Sequence, residues 1–305
     1  MADIPSNDES PSFQPSRVRQ RNVLNEAASM IGSGGLGNRS TSRSNSNTQS
    51  PSSDISERAH DINSALDIYD QQFLPSHQRS LSGIALRAFL LGLSFTLSLL
   101  TTLYILYNTT SPLWRAPFFI TTLSLFHFLE FYITALANTA DATVASFLLT
   151  SNGAAYNIAH TVAFTECILS NYFLRYDILP SWIQNVNLIL GLVLITAGQI
   201  CRSLAMYQAG TNFSHLVKHT KAPTHTLITS GVYSHLRHPS YFGFFWWGIG
   251  TQVVSGNVLS LVGYAVVLWL FFSRRIRGEE ESLVRFFGDE YLTYRKTTGV
   301  GIPFI

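Results

Sequence analysis

The sequence predicts an all-α, polytopic integral membrane protein with about six transmembrane helices, and two observations carry that prediction. Hydrophobic residues make up 46% of the 305-residue chain and charged residues only 12%, whereas roughly one quarter of the residues in soluble domains are charged. The apolar residues also gather in runs that approach the length needed to cross a bilayer. The runs cover residues 84–107, 117–137, 153–173, 182–206, 240–256 and 258–273.

The first 80 residues differ in composition from the rest of the chain. The segment NRSTSRSNSNTQSPSSD (38–54) has almost no apolar residue, so burial cannot offset the entropy that ordering would cost. We therefore predict a disordered Ser/Asn-rich cytosolic arm over 1–80, transmembrane helices 1–4 over 81–206, and a catalytic region over 207–305. Within the arm, helical spacing of apolar residues over 55–74 is compatible with a short surface helix.

The last two apolar runs predict a C-terminal helical hairpin, because only a Gly-Asn break at 256–257 separates them. Basic residues concentrate before the first run, within 207–239 and after residue 273. With six spans, this distribution places both termini and the 207–239 connection in the cytosol. We predict a multi-pass membrane protein.

Three ionisable residues lie inside predicted spans, namely His127, Glu130 and Glu166. Such groups are costly in lipid unless they are paired inward. We predict that His127 and Glu130, three residues apart on one helix, pair with each other and fix helix packing. A role in a substrate cavity is the alternative.

Five of the nine histidines lie between residues 215 and 238, a density that suggests a metal site. His215 and His219 are four residues apart, so a helix would place both imidazoles on one face. No carboxylate stands nearby in the sequence to complete a ligand set. The segment NFSHLVKH (212–219) instead fits an amphipathic surface helix with Leu216 inward, and we predict no metal.

The segment SGVYSHLRHPSYFG (230–243) places polar and aromatic residues between two apolar runs. Pro239 restricts the residue before it and is tolerated in the first turn of a helix, so the hairpin should begin here. The unpaired N–H groups of a helix start attract anionic or polar ligand groups, to which His238 and Tyr241 can add contacts. Simple anchoring at the membrane interface is the alternative interpretation.

The segment RRIRGEEESLVRFFGDEYLTYRK (274–296) begins where the last apolar run ends. Arg275 and Glu279 lie four residues apart on one helical face, which by itself indicates no more than a surface ion pair. A tight hairpin brings its two ends together, however, so both residues should lie close to His238 and Tyr241. A cation, an acid and an imidazole would then meet at a helix start, which is the geometry of a binding site.

Taken together, HTLITSGVYSHLRHPSYFG, RRIRGEEESLVRFFGDEYLTYRK and the ending GIPFI closely resemble the isoprenylcysteine carboxyl methyltransferases. These membrane enzymes methylate the carboxy terminus of prenylated proteins. The resemblance is strong over roughly 211–305, weaker in the upstream spans, and does not include the first 80 residues. It implies S-adenosylmethionine as cofactor and prenylated protein C-termini, carrying farnesyl or geranylgeranyl, as partners beside membrane lipid. It also implies that the protein resides in the endoplasmic reticulum membrane. No nucleic acid is expected.

The resemblance also implies site residues. Arg275 matches the arginine that holds the substrate carboxylate. Lys218 stands at a cofactor position where relatives commonly carry glutamine. The other positions that match cofactor contacts are His225, Thr226, Leu227, Ile228, Tyr233, His238, Pro239, Ser240, Tyr241 and Glu279.

Two other functions stay open at this point. Membrane sterol reductases have a similar C-terminal helical region with an HPxY-like segment and use NADPH, although their chains usually carry more spans. A non-catalytic scaffold would capture prenylated tails without depending on S-adenosylmethionine. The segments EEESLVRFFGDEYLTY and GIPFI favour the methyltransferase.

Overall fold

The computed structural model describes residues 51–173, 180–216, 220–221 and 225–305, with backbone only for 51–57 and 59. The chain divides into two compact units, Met1–Gln71 and Gln72–Ile305. In the first unit, helix α1 (Pro51–Gln71) covers most of the segment for which the sequence allowed a short helix. The part of the predicted arm before residue 51 lies outside the described residues, and so does Lys218.

The described part of the second unit consists of helices and turns, apart from a single bridge between Leu236 and Gly299. The prediction of an all-α protein is therefore confirmed. The helices are α2 (Leu81–Asn108), α3 (Arg115–Ala137), α4 (Ala154–Phe173), α5 (Ser181–Ala209), α6 (Pro239–Ser255), α7 (Leu259–Phe287) and α8 (Asp289–Thr297).

Each of the six predicted spans is a helix, from α2 to α7. Four segments are long and apolar enough to cross a membrane: Leu81–Asn108, Pro112–Ala137, Ser181–Asn212 and Leu259–Phe287. Helices α4 and α6 fall short of that standard, and α6 is only 17 residues long. The protein is thus a multi-pass membrane protein in which two of the predicted spans are short or less apolar helices.

The C-terminal hairpin forms at the predicted place. Helix α6 begins at Pro239 and ends at Ser255, and Gly256 follows with a φ of 71° that reverses the chain. Helix α7 continues to Phe287, well past residue 273, where the sequence placed the end of the last span. The charged residues of the predicted site therefore stand on the same helix as the apolar span.

Glu166 caps the start of α7 from the neighbouring α4. Its carboxylate accepts hydrogen bonds from the backbone N–H groups of Val258, Leu259 and Ser260 at 2.9, 2.8 and 2.7 Å. These N–H groups have no partner within their own helix. The acid therefore fixes the turn of the hairpin to α4.

Helices α5 and α6 pack backbone to backbone through glycines. A Cβ atom at Gly198 would lie 2.7 Å from the carbonyl oxygen of Gly243, and one at Gly243 would lie 2.5 Å from that of Gly198. Seven residues away, a Cβ at Gly250 would lie 2.9 Å from the carbonyl oxygen of Gly191. Small residues let membrane helices approach this closely, so residues 191–198 of α5 lie directly against residues 243–250 of α6.

The amphipathic helix predicted over 212–219 is wrong for its described residues. Residues 213–216 form no helix, and Leu216, which the prediction places inward, is 77% exposed. The physical reason is competition for backbone groups. Side chains from α7 and from the end of α3 bond the carbonyl groups of His215 and Phe213, which a helix would have used.

Candidate active site

The structure brings four predicted site residues into one cluster at the open end of the hairpin. The Tyr241 hydroxyl, on the first turn of α6, donates to Glu279 and accepts a hydrogen bond from Nε of Arg275 at 2.9 Å. His238 stacks on the Tyr241 ring, with 5.7 Å between ring centroids and 10° between planes. Tyr241 therefore contacts the imidazole through its ring and joins the guanidinium to the Glu279 carboxylate through its hydroxyl.

His238 is held from its other side by Glu280, which the sequence reasoning missed. Oε1 of Glu280 lies 3.3 Å from Nε2 of His238 and 2.6 Å from Nε of Arg237. Its Oε2 lies 3.3 Å from Nε of Arg295 on α8. Glu280 is one of three consecutive glutamates, and only the rotation of α7 decides which of them faces inward.

A cavity of about 160 Å³, the small cavity, opens beside this cluster. Its walls come from the connection after α5, the start of α6, the last turns of α7, and α8. All the described residues among the predicted cofactor positions line it. They are His225, Thr226, Leu227, Ile228, Tyr233, His238, Pro239, Ser240, Tyr241 and Glu279.

Tyr233, one of these lining residues, is tied to two helices. Its hydroxyl donates to the carbonyl oxygen of Ala205 on α5 at 3.2 Å. Its own carbonyl oxygen accepts a hydrogen bond from the Tyr294 hydroxyl of α8 at 2.6 Å. Burial raises the pKa of Tyr294 to about 12, so this hydroxyl keeps its proton to a more alkaline pH than an ordinary tyrosine does. Side-chain hydrogen bonds thus hold an irregular stretch of chain in place.

The small cavity also contains an unsatisfied polar group. The Tyr291 hydroxyl in its wall is buried and has no hydrogen-bond partner among the described residues. Leaving a buried hydroxyl unpaired is unfavourable. A ligand with both apolar and polar parts would suit this cavity, because Leu283 and Phe286 offer apolar surface close to the Glu279 carboxylate.

A second cavity of about 420 Å³, the large cavity, lies between α4, α6 and α7. Phe244 and Trp247 of α6 line it, and most of its other walls are apolar. Helix α7 runs along the whole length of this cavity, and Arg275 lies at the end of the cavity that is nearest to the cluster. The lining residues of α7 are Leu259, Ser260, Gly263, Tyr264, Val267, Leu268, Phe271, Phe272 and Arg275.

The two cavities share a wall. Arg275 lines only the large cavity and Glu279 only the small one, while the hydroxyl of Tyr241 contacts both side chains. A group in one cavity can therefore meet a group in the other at Tyr241. The residues that line both cavities are Phe213, Ser214, Ser240 and Tyr241.

A buried ion pair, also missed by the sequence reasoning, supports this wall from behind. Arg202 of α5 donates to both carboxylate oxygens of Glu130 of α3, with 2.7 Å between Nη2 and Oε2, and the two residues are 5% and 1% exposed. Nη1 of Arg202 donates to Oγ of Ser240 at 2.9 Å. Nε2 of His215 lies 3.0 Å from Oε2 of Glu130. The pair thus joins α3, α5, the start of α6 and the connection after α5.

The predicted pairing of His127 with Glu130 is wrong. Nδ1 of His127 lies 2.7 Å from the carbonyl oxygen of Phe147, and its Nε2 lies 3.2 Å from the Tyr156 hydroxyl. The carboxylate is taken instead by Arg202, because a guanidinium can bind both oxygens at once and an imidazole cannot. The signal was present in the sequence: an arginine within the apolar run 182–206 needs a buried acid.

Within the described ranges, no group of three or more His, Cys, Asp or Glu side chains is placed to hold a metal ion. His215, one member of the pair that suggested a metal site, contacts the Glu130 carboxylate. His219, the other member, lies outside the described residues.

Comparison with known proteins gives consistent matches over this region. The family described as "Isoprenylcysteine carboxyl methyltransferase (ICMT) family" matches residues 189–285. The protein-S-isoprenylcysteine O-methyltransferase of Saccharomyces cerevisiae is 50% identical over 189 residues, which cover 61% of this chain and 79% of the yeast protein. The Homo sapiens protein of the same name is 40% identical over 222 residues, which cover 73% of this chain and 75% of the human protein.

A solved structure also resembles the chain. It is the eukaryotic intramembrane Ras methyltransferase ICMT (isoprenylcysteine carboxyl methyltransferase), with a TM-score of 0.67 and 33% sequence identity. The match covers 82% of this chain and 86% of that one.

Proposed function

The chain belongs to the isoprenylcysteine carboxyl methyltransferase family, and we propose how its two cavities divide the reaction. It is an enzyme that forms the methyl ester of a prenylcysteine carboxylate. We propose that S-adenosylmethionine, the methyl donor, binds in the small cavity and that the prenylcysteine binds in the large cavity. The shared wall carries this proposal, because the two ligands can meet only where the cavities adjoin.

The residues of the small cavity fit the proposed donor. When bound, S-adenosylmethionine supplies a methyl group activated by a positively charged sulfur. Glu279 can accept hydrogen bonds from the amino group or a ribose hydroxyl, and the chain at 225–228 offers backbone groups and two apolar side chains. The lining positions named above are our proposed donor contacts, with Lys218 at the same connection.

The large cavity fits a prenyl chain. Burying such a chain is favourable by about 0.8 kcal/mol per methylene group, and the α7 stripe leads from Arg275 along the apolar span. Val162, Leu259 and Val267 line the cavity and are also largely exposed on the lipid-facing surface. An opening between α4 and α7 would let the chain enter sideways from the membrane.

Arg275 would orient the substrate carboxylate. The pKa of a terminal carboxyl group is ordinarily about 3.5, so the group is already ionised at neutral pH and needs no strong base. Arg275 would bind one carboxylate oxygen and leave the other free to react, while Tyr241 fixes the guanidinium through Nε. Orientation of this kind can contribute several kcal/mol to lowering a barrier.

We also propose where the enzyme resides. The basic residues around the predicted spans support cytosolic termini, and the family resemblance supports the endoplasmic reticulum membrane. The soluble methyl donor would then reach the shared wall from the cytosol, and the prenylcysteine substrate would reach it from the bilayer. We propose that the catalytic part includes, beside the region 207–305, Arg202 and the residues of α4 that line the large cavity. The sterol reductase and scaffold alternatives are not favoured by the matches.

The test is direct. Membranes that contain the protein are incubated with labelled S-adenosylmethionine and N-acetyl-S-farnesylcysteine, and base-labile methyl ester is counted. We expect Arg275→Ala and Glu279→Ala to abolish ester formation at normal expression. Arg274→Ala and Glu281→Ala change exposed neighbours of the same charge and should retain it. Ester formation that survives Arg275→Ala would overturn the substrate role of that residue.

A further inference from the structure

Two hydrogen bonds from the protein fix the guanidinium group of Arg275. Nε donates to the Tyr241 hydroxyl at 2.9 Å, and Nη2 donates to the backbone carbonyl oxygen of His215. Because a guanidinium is a rigid planar fork, these bonds occupy the edge formed by Nε and Nη2. The edge formed by Nη1 and Nη2 is left for a substrate oxygen, and no described residue accepts a hydrogen bond from Nη1. The His215 carbonyl therefore helps to aim the edge that meets the substrate.

No regular structure holds that carbonyl group in place. Residues 213–216 form no helix, and the Leu216 side chain is 77% exposed. Side chains from α3 and from its end hold this stretch instead. Nδ2 of Asn138 donates to the carbonyl oxygen of Phe213 at 3.1 Å, and Nε2 of His215 lies 3.0 Å from Oε2 of Glu130. A carboxylate only accepts hydrogen bonds, so the imidazole donates and anchors His215 to α3.

Glu130 does not need the imidazole to balance its charge. Arg202 already donates to both carboxylate oxygens of Glu130, with 2.7 Å between Nη2 and Oε2. Each carboxylate oxygen can accept more than one hydrogen bond, so the contact with His215 is additional. What this contact adds is a fixed point for the connection after α5.

The other anchor of Arg275 leads back to the same ion pair. Nη1 of Arg202 donates to Oγ of Ser240 at 2.9 Å and to the carbonyl oxygen of Ser240 at 3.2 Å. Tyr241 is the next residue along α6. The ion pair therefore supports both hydrogen bonds of Arg275, one through Ser240 and one through His215. No described residue of α3 lines either cavity, so α3 acts on the reaction only through contacts of this kind.

We propose that His215 is a positioning residue, which transmits the position of the ion pair to Arg275. Without the imidazole contact the His215 carbonyl moves, and the guanidinium turns about its remaining hydrogen bond to Tyr241. The substrate carboxylate still binds, but its reactive oxygen leaves the line of methyl transfer, and small misplacements of this kind lower rates strongly. The loss therefore falls on kcat rather than on KM. The proposal rests on the proposed function, because it requires Arg275 to hold the carboxylate.

The experiment measures kcat and KM for N-acetyl-S-farnesylcysteine in membranes that contain His215→Leu or His215→Gln. Leucine cannot bond Glu130, and we expect kcat to fall about tenfold while KM changes less than about twofold. Glutamine offers an N–H donor at nearly the reach of Nε2 and should restore most of kcat. His235→Leu, the same change at an exposed histidine, should alter neither constant. A normal kcat in His215→Leu, or no recovery in His215→Gln, overturns the inference.

A second background tests whether His215 acts through Arg275. Lysine lacks the planar fork, so adding His215→Leu to Arg275→Lys should lower kcat/KM by less than about twofold. An equal fall in both backgrounds overturns the inference, because a merely structural loss does not depend on residue 275. The proposed function fails in a different way. Ester formation that survives Arg275→Ala removes the substrate role of Arg275, whereas loss in Arg275→Ala beside a normal His215→Leu overturns the inference alone.

Discussion

The small and large cavities meet at Tyr241, but they are built in different ways. The small cavity is formed largely by an irregular connection, which side-chain hydrogen bonds from α5 and α8 hold in place. The large cavity is formed by regular helices that pack through aromatic side chains, and glycines bring α5 close behind α6. The contrast suits two reactants that arrive from different phases, one from water and one from lipid.

Because the two cavities are built differently, different kinds of substitution should disturb each of them. A change in hydrogen bonding should disturb the small cavity, and a change in helix spacing or polarity should disturb the large one. Only the shared wall, with Ser240 and Tyr241 at its centre, belongs to both. The comparison predicts that substitutions there impair both ligands, whereas substitutions elsewhere impair one.

The largest effect should follow from breaking the ion pair behind the wall. Glu130→Gln leaves the Arg202 guanidinium buried without its counter-charge, which we expect to lower the free energy of unfolding by about 3–5 kcal/mol. The midpoint of thermal unfolding in detergent measures this. The double variant Glu130→Leu with Arg202→Met removes both charges and should recover much of the loss. If the single and double variants lost the same free energy of unfolding, the unpaired charge of Arg202 would not be the cause of the loss.

A smaller but more specific effect should follow from Arg275→Lys. Lysine keeps the charge but loses the planar fork that binds Tyr241 and the substrate together, so we expect kcat/KM for farnesylcysteine to fall about 100-fold. Arg277→Ala, an exposed position on the same helix, is the control. Binding of S-adenosylhomocysteine should be unchanged, since Arg275 lines only the large cavity. An equal loss of that binding would break the distinction between the cavities.

The helix spacing behind the large cavity can be tested at Gly243. Gly243→Ala places a Cβ 2.5 Å from a backbone oxygen of α5, and overpacking of this kind costs about 1–3 kcal/mol. The midpoint of thermal unfolding should therefore fall in the Gly243→Ala variant. Gly92→Ala, where a Cβ meets nothing within 4 Å, should not destabilise the protein. A neutral Gly243→Ala would mean that α5 and α6 are not in close contact.

The smallest expected effects come from single substitutions in the wall of one cavity, and they distinguish the two cavities most clearly. Val267→Thr adds a hydroxyl to the wall of the large cavity with little change in shape, and should raise KM for farnesylcysteine about fivefold while leaving KM for the methyl donor unchanged. Leu283→Asn, in the small cavity, should raise KM for the methyl donor and leave KM for farnesylcysteine unchanged. Steady-state kinetics with each substrate varied in turn gives both constants. Parallel changes in both constants for either variant would contradict the separation.

Features that depend on one segment at a time could be predicted from the sequence. Apolar runs of spanning length predicted the helices, and the short break at 256–257 predicted the hairpin. Once the hairpin is given, its two ends must adjoin. For that reason the order of residues along the chain was enough to place Arg275 and Glu279 beside His238 and Tyr241.

Features that depend on how distant helices rotate and cross could not be predicted. Glu130 and Arg202 stand 72 residues apart in sequence, and they meet because α3 packs against α5. The contact between the rings of His160 on α4 and Tyr264 on α7 likewise depends on how two helices meet. Periodicity within a helix identifies a buried face, but it does not tell which partner that face meets.

The most direct test of the two-cavity account is ligand protection of single cysteines. In a background with Cys167 and Cys201 replaced by alanine, Val267→Cys and Leu283→Cys are labelled with a maleimide in membranes. We predict that farnesylcysteine slows labelling at position 267 and not at 283, and that S-adenosylhomocysteine does the opposite. Protection of both positions by the same ligand, or of neither position by farnesylcysteine, would contradict the account.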